Sequence, residues 1–403
     1  MNPTSWNGAN AVEPTFQVAP QFTPPAAPRE HLMRVRFTGS GSEYFRIWIV
    51  NLLLTLVTLG FYYPWAKVRR LRYFHGNTLV GGQPLDFHGD PKKMLRGYLL
   101  VGLMVLLYSV AGNFSPTAGL VALIIVASVW PALLKSSMQF RLANTSWRGL
   151  RFRFKGSVRG AYAALLPLFV PGLLIFFAAQ FVPDQNEPPD WYGLFTLGVG
   201  LVTLLLMPWL WFNLKRYQHA HYALGQWQTE LRTTRGAFYV VFLKTLGVAL
   251  LLMVVAGALA ALLFGVGQWQ SLAGGGGLGL AIVIALVAFF IGMLLVQFVP
   301  RPYFTSRMQN LLWSRTGNRA MRFRSALRFR PLLGLTLKNW LLMVLTLGLY
   351  WPFAAVATAR MRLEAVTVST RDDPAALFDA ARAAEGEAAG DAAGDLLGFD
   401  IGL

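Results

Sequence analysis

The chain has 403 residues, 55% of them hydrophobic and only 13% charged. Soluble domains carry about 25% charged residues, so this composition excludes an ordinary water-soluble globule and points to a polytopic membrane protein. The formal net charge is +18, and the absence of cysteine rules out disulfides, thiolate catalysis and Cys-ligated metals.

In chain order, residues 1–31 read as a disordered leader, because their Pro-, Ala-, Asn- and Gln-rich composition cannot offset ordering entropy. They lack the apolar core of a cleavable signal peptide, so the first apolar segment is expected to serve as an uncleaved targeting signal. Residues 32–369 form the expected integral membrane domain. Its apolar segments fall at about 47–64, 97–113, 117–134, 160–182, 191–213, 237–264, 278–300 and 335–356. Residues 370–403 read as a flexible tail, with Asp372, Asp373, Asp379, Glu385, Glu387, Asp391, Asp395 and Asp400 against one Arg382.

The second to seventh segments pair as three hairpins. The links within those hairpins are neutral or acidic, as in Val182–Asp190. The links between them are basic: Lys67–Arg72, Arg141–Arg159, Lys215–Arg235 and Arg301–Arg330. Positive charge concentrates on the cytoplasmic side, which places the basic links inside. The expected fold is therefore all-α and polytopic, with six firm transmembrane helices in three hairpins and two flanking segments at 47–64 and 335–356. Basic residues lie on both sides of each flanking segment, so spanning and re-entrant arrangements both remain open.

The basic links share a pattern. One gapless shift places Pro64, Asn77-Thr78, Phe87 and Gly89 on Pro131, Asn144-Thr145, Phe154 and Gly156. A longer shift places Pro64-Trp65, Arg72-Tyr73 and His75 on Pro208-Trp209, Arg216-Tyr217 and His219. Arg34–Gly39 carries another Phe-x-Gly piece, and the stretch from Pro300 and Pro302 to Arg324 is a weaker copy. Leu150–Lys155 alternates apolar and basic residues, a strand-like period of two. Small cytoplasmic hairpins or interfacial ribbons, β-like in character, are expected there.

The two flanking segments repeat a longer motif. Thr58-Leu59-Gly60-Phe61-Tyr62-Tyr63-Pro64-Trp65 returns as Thr346-Leu347-Gly348-Leu349-Tyr350-Trp351-Pro352-Phe353, with Asn51 and Asn339 at the same distance upstream. Polar and helix-breaking residues in an apolar segment must be satisfied by neighbouring protein. With Ala66-Lys67-Val68-Arg69, Arg72-Tyr73 and Asn77-Thr78, the first copy resembles the signature of the YjgN-like bacterial inner-membrane proteins, a family of unknown function. The resemblance covers roughly residues 32–369 and implies a multi-pass inner-membrane protein with no implied activity.

The candidate residues follow from these motifs. Asn51, Thr58, Gly60, Pro64, Asn339, Thr346, Gly348 and Pro352 are candidates either for a substrate path through interrupted helices or for helix packing. Arg72, Arg216 and Arg360 are candidate contacts to anionic lipid headgroups. No carboxylate lies in an apolar segment, no catalytic constellation is visible, and no cofactor is expected. His219 and His221 would approach a metal only from an extended chain. The leading expectation is a non-enzymatic membrane protein that handles or senses a lipid or small solute. The alternative is a scaffold that docks a protein partner through its basic links. Nucleic acid is not expected as a partner, because the arginines are scattered between apolar segments.

Overall fold

The computed structural model describes residues 31–272 apart from Gln185, residues 297–371, and short pieces within 282–292 and 373–379. Of the expected leader only His31 is described, and it begins the first strand. Residues beyond 379 lie outside the described region.

The basic links are true strands, and they join into one antiparallel sheet. In chain order these are β1 (His31–Phe37), β2 (Thr78–Val80), β3 (Gln83–Phe87), β4 (Thr145–Trp147), β5 (Leu150–Phe154), β6 (Tyr222–Leu224), β7 (Trp227–Gln228), β8 (Glu230–Leu231), β9 (Thr316–Gly317), β10 (Met321–Ser325) and β11 (Val366–Thr370). The sheet runs β7-β6-β5-β4-β3-β2-β1-β11-β10-β9-β8. Its two end strands are consecutive in sequence, separated only by Thr229. The eleven strands therefore form a nearly closed ring. Ring closure removes the exposed edges that short strands would otherwise present.

This overturns the all-α expectation. Alternation in the links was legible, but the pairing partners are distant: β3 pairs with β4 and β5 with β6 across whole helical segments, while β1 pairs with β11 across nearly the whole chain. Each link supplies a piece too short to be a sheet, and only association of the links makes one.

The expectation of six firm transmembrane helices in three hairpins also fails. Among the described residues four helices are long and apolar enough to cross a membrane: Pro91–Phe114 (α3), Pro116–Ala143 (α4), Asp190–His219 (α7) and the Arg235–Leu262 part of α8 (Arg235–Leu272). The 160–182 segment is broken, with α5 (Val158–Leu165) and a short 3-10 turn meeting α6 (Val170–Ala179) at 50°. Pro167 and Pro171 stand at that break and remove backbone donors. Most of the expected segment 278–300 lies outside the described residues.

The two flanking segments are helical hairpins standing on the ring. α1 (Gly41–Val57) has 17 residues and α2 (Tyr63–Gly76) has 14; α10 (Phe329–Leu345) and α11 (Trp351–Glu364) repeat those lengths. Each pair leaves a strand and returns to one. A 17-residue helix rises about 25 Å, less than the roughly 20-residue span of a bilayer requires. The remaining long helix, α9 (Pro300–Arg315), leads into β9.

Candidate functional site

Five helices converge on the ring: α2, α4, α7, α9 and α11. Each carries a buried proline, namely Pro64, Pro131, Pro208, Pro302 and Pro352. Each helix runs the same distance from that proline to the first residue of a strand, at Thr78, Thr145, Tyr222, Thr316 and Val366. In the first two units the Asn-Thr pair ends the helix by direct bonding. Asn77 Nδ2 donates to the Tyr73 carbonyl at 2.9 Å and Thr78 Oγ1 to that of Phe74 at 2.6 Å. Asn144 and Thr145 do the same to Phe140 and Arg141 at 2.8 and 2.7 Å. These side chains satisfy carbonyls that the helix end would leave unpaired.

The Phe-x-Gly pieces lock strands to helices. Phe37, Phe87 and Phe154 are buried, each folded beneath the glycine two residues on. A Cβ on Gly39, Gly89 or Gly156 would lie 2.8, 2.5 or 2.4 Å from its phenylalanine ring. Tyr73 and Tyr217 complete two of these corners, donating to the Ser40 and Ser157 carbonyls at 2.8 and 3.0 Å.

Beneath the converging helix ends the ring lines a half-open cavity of about 850 Å³, within the roughly 300–1,000 Å³ range of ligand sites. Along β1 the inward residues divide by depth. Phe37 packs against α1 and α11, Val35 lines the cavity, and Met33 joins the floor. Leu150, Phe152 and Phe154 repeat that order along β5. The floor is a cluster of Met33, Trp147, Leu150, Leu224, Met321 and Val368, together with Phe378 from the following segment. Phe378 is only 3% exposed and meets Trp147 edge-on at 4.5 Å.

The roof is polar and cationic. One helical register, counted from the prolines, places Leu71, Met138, Lys215, Gln309 and Ala359 in the lining; a second adds Arg141, Gln218 and Arg362. Arg362 Nε donates to Gln309 Oε1 at 2.8 Å, and Gln309 Nε2 returns a bond to the Arg362 carbonyl at 2.8 Å. Lys215 Nζ donates to Gln218 Oε1 at 2.9 Å and lies 5.3 Å from the Trp211 ring centroid. Arg141 stands within electrostatic reach of His75, Lys67 and Tyr222, and Arg362 within reach of Lys215. Burial, reinforced by the Arg141 charge, holds the His75 imidazole below its ordinary value. Burial pushes the Tyr222 hydroxyl up to about 12, with Arg141 opposing. No carboxylate lines the cavity among the described residues.

Cations near helix C-termini are favoured by about 0.3–1 kcal/mol each through the helix dipole. That effect operates equally well with the cation turned to water. Lys215 and Arg362 are close enough to repel each other. The dipole therefore does not by itself select a position in the cavity lining.

The residues singled out from sequence lie elsewhere. None of Asn51, Thr58, Gly60, Pro64, Asn339, Thr346, Gly348 or Pro352 lines this cavity. Thr58 and Thr346 build the hairpin tips. Their hydroxyls donate to Leu54 and Leu342 and accept the Tyr62 and Tyr350 amides at 3.0 Å. Gly60 and Gly348 sit at φ 93° and 90°, and the preceding Leu59 and Leu347 at 48° and 50°. This left-handed pair ends each helix, with the Gly60 amide reaching the Thr55 carbonyl at 2.8 Å. The tip leucines are 91% and 94% exposed. Asn51 and Asn339 are buried where the hairpin arms cross, each Nδ2 reaching an alanine carbonyl at 3.5 Å, and each Oδ1 lacks a protein partner.

Of the candidate lipid-contacting arginines, two serve the corners. Arg72 donates to the Gly89 carbonyl at 3.4 Å and Arg360 to that of Gly39 at 2.7 Å. Arg216 lies in the last turn of α7. His219 Nδ1 meets Thr316 Oγ1 at 3.0 Å, whereas His221 Nδ1 meets the Tyr217 carbonyl at 2.7 Å. The cavity cations Arg141, Lys215 and Arg362 were not singled out from sequence. The signal was present in two spacings from the prolines, one for Lys215 and another shared by Arg141 and Arg362, but a register selects a functional face only once the ring shows which face lines the cavity.

The family described as "Bacterial protein of unknown function (DUF898)" matches residues 32–396. The chain belongs to this family. It is similar to the inner membrane protein YjgN of Escherichia coli strain K12, 25% identical over 222 residues, covering 51% of this chain and 54% of the relative. It is also similar to the inner membrane protein YjgN of Salmonella typhimurium, 32% identical over 137 residues, covering 33% and 35%. The matches span between about a third and a half of the length of these relatives. No solved structure matches the chain. The relatives thus support an inner-membrane protein of this family, as the Thr-Leu-Gly motif implied.

Proposed function

We propose that this chain is a non-enzymatic, multi-pass inner-membrane protein that receives a small solute or lipid headgroup in the ring cavity, with the basic links and the ring on the cytoplasmic side. The ligand-sized, half-open cavity beneath five converging helices carries this reading. Charge distribution supports the orientation, because the ring strands bear exposed Arg34, Arg36, Arg151, Arg322 and Arg324 on their outer face. The absence of cysteine makes a clean test available. Ala359 lines the cavity, so Ala359→Cys in the full chain, reconstituted in phosphatidylcholine discs, should react with a small neutral thiol reagent. Complete protection of a folded Ala359→Cys protein, alongside rapid labelling of an exposed Arg34→Cys control, would sink the proposal.

A second reading has its own support. The outer arginines form a basic collar suited to docking an acidic protein partner, and a scaffold would use that collar without needing the cavity. Charge reversal at Arg34 and Arg324 separates the two, since only the scaffold reading expects a loss of function from it.

A further inference from the structure

We infer that the cavity ligand carries a phosphate or comparable oxyanion, held jointly by Arg141, Lys215 and Arg362. The inference rests on the reading of the cavity as a ligand site and specifies the ligand's chemistry. Three features carry it. The cations come from three different helices, α4, α7 and α11, yet line one half-open cavity, Lys215 half-buried and Arg141 and Arg362 accessible from it. No acidic side chain lines that volume among the described residues. Arg362 is also oriented by a reciprocal pair of bonds with buried Gln309, which leaves its terminal nitrogens as the uncommitted part of a planar donor fork.

The helix ends themselves do not attract anions. C-termini are the negative ends of helix dipoles, so any affinity for an oxyanion comes from the side chains. That division makes the site testable. An oxyanion would neutralise a group of charges that the fold brings together, using charge-assisted bonds that are short and strong. Trp147, Trp227 and Trp313 also line the cavity, offering flat apolar surface to the uncharged remainder of a ligand and an optical probe of its arrival. Neutral donors and acceptors from Gln218, Thr229 and Asn318 complete the wall, as expected where a few polar groups fix orientation in a mostly apolar pocket.

Two sources share this chemistry: a phospholipid headgroup and a free phosphorylated solute. The experiment uses the full chain in lipid discs, reading tryptophan fluorescence and the unfolding midpoint. In one arm, inorganic phosphate is titrated into protein in phosphatidylcholine discs. In the other, the discs contain phosphatidylglycerol and no phosphate is added. The expected result is a saturable response in at least one arm, identifying the source. Arg141→Gln and Arg362→Gln should weaken it roughly tenfold or more, while the outer-face variants Arg34→Gln and Arg324→Gln leave it unchanged.

Ala359→Glu provides a measure that does not depend on losing a side chain. A carboxylate placed beside Arg362 should raise the unfolding midpoint without ligand and abolish the response to phosphate or phosphatidylglycerol. Lack of response in both arms, while Ala359→Cys remains accessible to the neutral reagent, overturns the oxyanion assignment and leaves the ligand-site reading intact. Failure of both overturns both. A response abolished by the outer-face variants and kept by the cavity variants places the anion outside the ring and likewise overturns the assignment.

Discussion

The α1/α2 and α10/α11 hairpins and the roof of the ring cavity are built on the same prolines but differ in what varies between units. In the hairpins nearly everything recurs: arm lengths, the threonine caps, the left-handed Leu-Gly pair and the crossing asparagine. In the roof the registers recur while the side chains mostly differ, with arginine appearing twice, as Arg141 and Arg362. Lys215 stands where Leu71, Met138, Gln309 and Ala359 stand in the other units. Strict recurrence in the hairpins marks the residues that make the shape, and variation among the roof registers gives the cavity lining its chemistry.

The largest test of this contrast removes a shape-building corner. Phe154→Ala should cost about 3–5 kcal/mol, the usual toll for emptying a buried aromatic site, read as a fall in the unfolding midpoint in discs. A loss below about 1 kcal/mol would mean that the Phe-x-Gly corners do not hold the ring together. Gly156→Ala attacks the same corner by overfilling it. Its Cβ would meet the Phe154 ring at 2.4 Å, and a penalty of about 1–3 kcal/mol is expected.

Next in size is the hairpin tip. Gly348→Ala places a side chain at φ 90° and should cost on the order of 1–2 kcal/mol. The same change at Gly334, which is helical and has nothing within 4 Å of its would-be Cβ, should be neutral or mildly stabilising. Equal penalties at the two positions would remove the special role of the tip.

A smaller, directional test falls on the roof. The His75 pKa is depressed in the folded protein by burial and by Arg141. The unfolded chain therefore binds more protons than the folded one across the window between the depressed value and the ordinary value near 6.5. Stability should fall as pH drops through that window, and His75→Gln should flatten the slope. An unchanged pH slope in His75→Gln would show that the imidazole is not held neutral in the roof.

Much of this was legible in the sequence, and unevenly so. The motif residues announced themselves because αL backbone, a helix-ending Asn-Thr pair and a Phe folded under glycine each demand particular residue types. The strands were half-visible through the alternation of Leu150–Lys155. Their assembly was not, because β1 and β11 close the ring from opposite ends of the membrane domain, and no local pattern encodes that pairing. The prolines were visible as well, yet segment 47–64 ran past the end of α1 into the start of α2, because the turn between them is itself apolar, and the rest of α2 read as a basic link. The cavity cations stayed hidden for the opposite reason. Arg141, Lys215 and Arg362 look like other topology-setting charges until the fold brings them to one cavity lining, whereas Arg34, Arg36, Arg151 and Arg324 lie on the outer face of the ring.

The central claim is that residues at two registers shared by the helices line a positively polarised, ligand-sized space. Its most direct test compares the rates at which Ala359→Cys reacts with an anionic sulfonate thiol reagent and its cationic ammonium analogue, each normalised to a small thiol in solution. The account predicts a clear preference for the anionic reagent, reduced when Arg141→Gln or Arg362→Gln is added. Equal rates, or a preference for the cationic reagent, would contradict it.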